Sequence, residues 1–145
     1  MTTHKLKGGC HCGNIIVEVE LARSPSAYNP RACDCAFCRK HGASYVSDPH
    51  GSLLIQIKDE CFFGKYHQGS GIAECLLCTN CGVLVGIVSQ SNGQLYGTVN
   101  SKVIDEGDRF GEETSVSPRL LSDSEKTERW KGVWFANVNI GTVSA

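Results

Sequence analysis

A chain of 145 residues, 41% apolar and 20% charged, has the balance of a single globular domain spanning residues 1–145, which buries ~70% of its unfolded surface. A formal net charge of -1, with no basic stripe or tail, gives no footprint for nucleic acid, and no segment reaches the ~18 apolar residues of a membrane-spanning helix. Nine cysteines are what composition leaves to be explained.

Residues Met1 to Lys7 lack an apolar core segment, so no secretory signal is expected and the chain is assigned to the cytoplasm. In a reducing compartment, clustered cysteines serve metal or redox chemistry more often than disulfides, and an odd count argues against a complete disulfide framework. The first cluster, Gly9-Cys10-His11-Cys12-Gly13, precedes Ile15-Ile16-Val17-Glu18-Val19-Glu20, which alternates like a half-exposed strand. The second, Cys33-Asp34-Cys35-Ala36-Phe37-Cys38, runs into one helical turn over Ala36 to His41. After the turn Ser47-Asp48-Pro49-His50-Gly51 come strand-forming runs at Leu53 to Ile57 and Cys61 to Tyr66. The third cluster, Cys78-Thr79-Asn80-Cys81-Gly82, feeds the strand Val83 to Val88, and Ser91-Asn92-Gly93 turns it back into Gln94 to Val99 as a hairpin. Ser122 to Trp130 reads as a short helix, with Ser122 as N-cap and Glu125 at the third position. The pattern predicts a mainly-β single domain of small antiparallel sheets joined by cysteine-bearing turns.

In C-x-C and C-x2-C turns both sulfurs reach one tetrahedral metal at ~2.3 Å, and a following glycine supplies the positive φ with which the chain leaves the turn. Cys12-Gly13 and Cys81-Gly82 have that glycine. Cys10, Cys12, Cys78 and Cys81 are therefore read as a closed structural zinc site. Cys33, Cys35 and Cys38 offer three thiolates within six residues, and three protein ligands with a vacancy is the pattern of catalytic zinc. A fourth ligand from Cys61, Cys75, His41, His50 or His67 is the alternative. Two Zn²⁺ against seven thiolates would take the net charge to about -4. Cys75, beside Leu76-Leu77, is expected to be a core thiol, and Cys61, beside Phe62-Phe63, a small buried hydrophobe. His11 is expected at the surface of its turn, and no residue presents itself as a general base. Iron in a rubredoxin-like site fits the C-x-C steps less well than zinc, and a zinc ribbon leaves three clustered cysteines unexplained.

The order C-x-C, C-x-C-x2-C, C-x2-C-G, carried by the seven cysteines above over roughly residues 5–100, resembles the glutathione-dependent formaldehyde-activating enzymes, which share a domain with the centromere protein V group. The resemblance implies stacked small sheets of the Mss4-like, or β-tent, type with zinc between them. It also implies that the outer clusters share the structural zinc and that the middle cluster holds a catalytic zinc binding glutathione as substrate or co-substrate. The implied reaction adds the glutathione sulfur to formaldehyde, giving S-hydroxymethylglutathione, a carbon–sulfur lyase chemistry. Glutathione is anionic, and Arg31, Arg39 and Lys40 flank the middle cluster as its expected contacts. Two other functions compete: a non-catalytic two-zinc module recruiting protein or nucleic acid, and a redox or metal-buffering protein using Cys33, Cys35 and Cys38. The expected partner is a small thiol or aldehyde, with neither nucleic acid nor membrane. No motif covers the last third of the chain, and nothing fixes an oligomeric state.

Overall fold

The computed structural model describes residues 3–68 and 71–143. In chain order the elements are β1 (His4–Gly9), β2 (Ile15–Leu21), β3 (Arg31–Cys33), α1 (Ala36–His41), β4 (Tyr45–Val46), β5 (Ser52–Ile57), β6 (Phe63–Tyr66), β7 (Glu74–Cys78), β8 (Leu84–Ser91), β9 (Gln94–Asn100), β10 (Thr114–Val116), α2 (Asp123–Val133) and β11 (Val138–Thr142). They form two sheets, one of order β1-β2-β5-β11 and one of order β10-β3-β4-β9-β8-β7-β6. Among the described residues no helix is long and apolar enough to cross a membrane.

The first sheet follows from alternation. Ile15, Val17, Val19 and Leu21 of β2 are buried, while Ile16, Glu18 and Glu20 between them are only partly covered. Across β5 the register sets Ile15 opposite Ile57, Val17 opposite Ile55 and Val19 opposite Leu53, so apolar pairs line one face. On the other face Lys5 and Lys7 of β1 meet Glu20 and Glu18 at 3.7 and 3.6 Å. These surface pairs fix register more than they stabilise. The buried face packs with Leu76, Val85, Val88 and Val99 of the second sheet and with Phe135 in one core. Each fully buried aliphatic side chain there contributes about 1.5–3 kcal/mol. At the β8–β9 turn Asn92 and Gly93 both have positive φ, 53° and 78°, as a two-residue primed hairpin turn requires.

Several expectations change. The sheets are mixed rather than purely antiparallel: β10 runs parallel to β3 and β11 parallel to β5. Both parallel strands come from the last third of the chain, whose long connections permit the crossover that parallel pairing needs. Cys61 is exposed, not buried. It sits in a 3-10 turn capped by Asp59, whose carboxylate accepts from the Cys61 N–H at 2.9 Å, so local capping overrides the apolar neighbours. The predicted run at Cys61 to Tyr66 is a strand only from Phe63. The C-terminal helix begins where expected, with the Ser122–Glu125 capping box formed, and continues three residues beyond Trp130.

Candidate metal centre

The first candidate metal site joins two hairpin turns from different sheets. Cys10 and Cys12 lie in the β1–β2 turn, whereas Cys78 ends β7 and Cys81 follows it in the β7–β8 turn. Their four Sγ atoms lie within 4.8 Å of one another. Four sulfurs ~2.3 Å from one tetrahedral metal stand about 3.8 Å apart. The Cys10–Cys12 and Cys12–Cys78 separations, 3.7 and 3.5 Å, fit that geometry. Gly13 and Gly82 adopt φ of 83° and 81° with open space where a Cβ would stand, so conformation rather than room calls for glycine. The turns are closed by the Gly13 N–H donating to Cys10 O and the Gly82 N–H to Cys78 O. The Ile15 N–H donates to Cys10 Sγ at 3.2 Å. The Asn80 side chain helps hold Cys12 down to about 6, whereas burial pushes Cys78 up to about 12. Four clustered sulfurs do not ionise together without a cation among them.

The second candidate site is built on β3, one strand in from the β10 edge of the larger sheet, and on the helix that follows it. Cys33 ends β3, Cys35 is the N-cap of α1 and accepts from the Cys38 N–H at 3.4 Å, and Cys38 is buried in the helix. The three Sγ atoms also lie within 4.8 Å of one another, and among the described residues no other cysteine, histidine or carboxylate joins them. The Tyr45 hydroxyl lies 3.1 Å from Cys38 Sγ. Burial and the neighbouring sulfurs push the Tyr45 pKa up. A hydrogen bond from Cys38 holds Cys33 down to about 6, while Cys38 itself is pushed up. The Gln68 amide reaches Cys35 Sγ at 3.6 Å, a long contact even to sulfur.

This cluster lines a cavity of about 300 Å³. Arg31, expected from sequence as an anion contact, is in its wall, where it donates to Ser47 Oγ at 2.8 Å and more weakly to Thr98 Oγ1 at 3.4 Å. Burial and then the nearby Arg129 lower its pKa to about 10, which leaves it charged at neutral pH. Arg39 and Lys40 are exposed at the end of α1 and do not line the cavity. Cys75 is buried, as expected, and also forms part of the cavity wall; burial pushes its thiol up to about 11. His11, His41, His50 and His67 join neither cluster.

Sequence reasoning missed the far wall, which the last third of the chain supplies. Asp34, between two clustered cysteines, accepts from Ser117 Oγ at 2.5 Å and from Arg119 Nε at 3.2 Å. These bonds tie the segment after β10 to the cluster. Lys126, Arg129, Trp130 and Trp134 then line the cavity from α2 and its C-cap. Trp130 and Trp134 stack with ring centroids 4.3 Å apart and planes at 10°. Their four-residue spacing was the available signal, since such residues share a helix face, but the helix expected from sequence stops at Trp130, short of Trp134.

Mixed small sheets, a four-cysteine cluster bridging them and a three-cysteine cluster facing a cavity define a mainly-β protein with two thiolate sites able to hold metal ions. The sequence matches the family described as "Glutathione-dependent formaldehyde-activating enzyme" over residues 5–118, and the chain belongs to that family. The match extends past residue 100, where the motifs stop, and takes in Ser117 beside the middle cluster. A crystal structure of a Rhodobacter sphaeroides protein shares the fold, with a TM-score of 0.54 and 21% identity, covering 95% of this chain and all of that one. Among curated proteins, none matches the sequence.

Proposed function

We propose that this chain is a zinc-dependent enzyme of carbon–sulfur lyase type, acting in the cytoplasm as one 145-residue domain. Its substrate is the adduct of a small thiol with an aldehyde, as in S-hydroxymethylglutathione synthesis. One observation carries the reading. Cys33, Cys35 and Cys38 bring three sulfurs to a cavity wall with no fourth protein ligand among the described residues. A zinc ion held by that trio would supply a Lewis-acidic point that favours an external thiolate over water. Cys10, Cys12, Cys78 and Cys81 hold a second zinc whose role is structural.

The chain's own groups do the rest. The Tyr45 hydroxyl fixes the orientation of Cys38 through their 3.1 Å contact. Ile72, Ile87, Val116 and the two tryptophans give the cavity an apolar lining that lowers its water content, which strengthens electrostatic interactions inside it. Arg31 receives the anionic end of the ligand, and Arg39 and Lys40 act at longer range from the surface. Among the described residues, neither a carboxylate nor a histidine lines the cavity, so no side chain there serves as a conventional general base.

Calorimetry on zinc-loaded protein tests this directly. Glutathione binding should release protons, because the bound sulfur is deprotonated, and Cys35→Ser should abolish both binding and release. Exchange spectroscopy should then show faster interconversion of glutathione, formaldehyde and their adduct. Lack of binding by glutathione or 2-mercaptoethanol at millimolar concentration would refute the reading and favour a non-catalytic binding module.

A further inference from the structure

The cavity's charge is lopsided. Arg31, Arg119, Lys126 and Arg129 all line it, and no acidic residue does among those described. Arg119 is paired with Asp34 at 3.2 Å, but Arg31, Lys126 and Arg129 form no ion pair among the described residues. Three unneutralised cations therefore face a cluster that carries about -1 once three thiolates hold Zn²⁺. Helix geometry concentrates them: Lys126, Arg129 and Trp130 are spaced i, i+3, i+4 on α2 and share one face. The stacked Trp130–Trp134 pair, Ile72, Ala73 and Ile87 add apolar surface to the same cavity.

We propose that the thiol this cavity selects carries two features, one or more carboxylates (or an equivalent anionic group) and a flat apolar body, and has no ammonium group. Arg31 and Arg129 hold the anion, with Lys126 beside them. Trp130 and Trp134 face the apolar body. The inference rests on the reading of the middle cluster as an open thiol-binding metal site, and it narrows the substrate class of that site. Glutathione, whose γ-glutamyl end bears an α-ammonium, finds cations where it needs a carboxylate and leaves the aromatic wall unused. Bidentate recognition of a carboxylate is what arginine's planar fork supplies, so Arg129 and Arg31 are specificity-determining where a lysine would act only as a point charge.

The test uses the zinc-loaded full chain and four probes: 2-mercaptobenzoate, glutathione, cysteamine and the thiol-free phthalate. The chain has two tryptophans, and both are at the site, so quenching of intrinsic fluorescence reports occupancy and calorimetry confirms it. The expected order is 2-mercaptobenzoate about ten-fold tighter than glutathione, with cysteamine weakest. Arg129→Gln, at an exposed helix position, should weaken 2-mercaptobenzoate about ten-fold and leave cysteamine unchanged or slightly tighter, with zinc content and melting temperature unaltered. Arg129→Lys should restore only part of the loss.

Binding of all three thiols with similar affinity, or no effect of Arg129→Gln, overturns the proposal and leaves the thiol-binding reading standing. Binding of phthalate, sensitive to Arg129→Gln, without binding of any thiol supports the anion subsite and overturns the open metal position. Failure of every probe at millimolar concentration overturns both.

Discussion

Replacing Cys78 by serine and replacing Cys35 by serine should have unequal consequences, and the structure sets the ratio. Cys78 is fully buried, ends β7, and belongs to a cluster that bridges the two sheets. Metal binding at a structural zinc site is worth about 10–16 kcal/mol and is folding free energy, while a domain of ordinary size is stable by about 5–15 kcal/mol. Losing even a third of the binding energy removes about 3–5 kcal/mol, and the buried hydroxyl lacks the metal that satisfied the sulfur. At about 2–4 °C per kcal/mol, Cys78→Ser should lower the melting temperature by roughly 6–20 °C or leave the protein insoluble. Cys35 is only half-buried, and its structural task is to cap α1 by accepting from the Cys38 N–H. Serine performs that task at least as well, so Cys35→Ser should shift melting by no more than about 4 °C while removing one zinc. Circular-dichroism melts paired with elemental analysis decide the matter. Equal destabilisation by the two variants, or loss of both metals from each, would refute the division into structural and open sites.

Two further outcomes follow from residues that are not themselves candidate metal ligands. Burial pushes the Asp48 carboxyl up, but the Tyr28 hydroxyl at 2.6 Å and the N–H groups of Ala22 and His50 outweigh it, so the folded pKa is lowered. The stabilisation is therefore present above the unfolded carboxyl's ~3.9 and is lost as pH falls through the lower folded value. Tyr28→Phe should cost about 1.5–3 kcal/mol near neutral pH and move the acid-unfolding midpoint upward, as urea melts across pH would show. Gly82→Ala should cost about 1–2 kcal/mol because φ there is 81°, even though nothing obstructs the added methyl. It should also speed loss of the structural metal to a chelator, and a rate no faster than that of the unmodified protein would count against the turn's role.

Much of the site near the cysteines was legible because the constraints are local. Both glycine exits have the positive φ that the spacing required, and the Asn92-Gly93 hairpin and the Ser122–Glu125 cap are written in adjacent residues. What escaped depends on distant partners. In β1 only Leu6 is fully buried, so alternation is too weak to announce a strand. The β10 and β11 segments are short and gain their identity by pairing parallel to β3 and β5. None of the residues of α2 itself is buried, so it shows no apolar stripe, and its basic, aromatic face has meaning only opposite the cysteine cluster. Arg39 and Lys40 adjoin that cluster in sequence, yet the turn of α1 carries them to the surface, while Arg129, 91 positions after Cys38, faces the cavity.

The most direct test of the open metal position is a thiol titration of the protein loaded with Co²⁺, whose visible and sulfur-to-metal bands report each coordination sphere. The account predicts that a small thiol changes the bands of one of two metals per chain, with saturation and one equivalent bound, and that Cys35→Ser abolishes the change while the other metal's spectrum persists. Two metal spectra that stay unchanged up to millimolar thiol would contradict it.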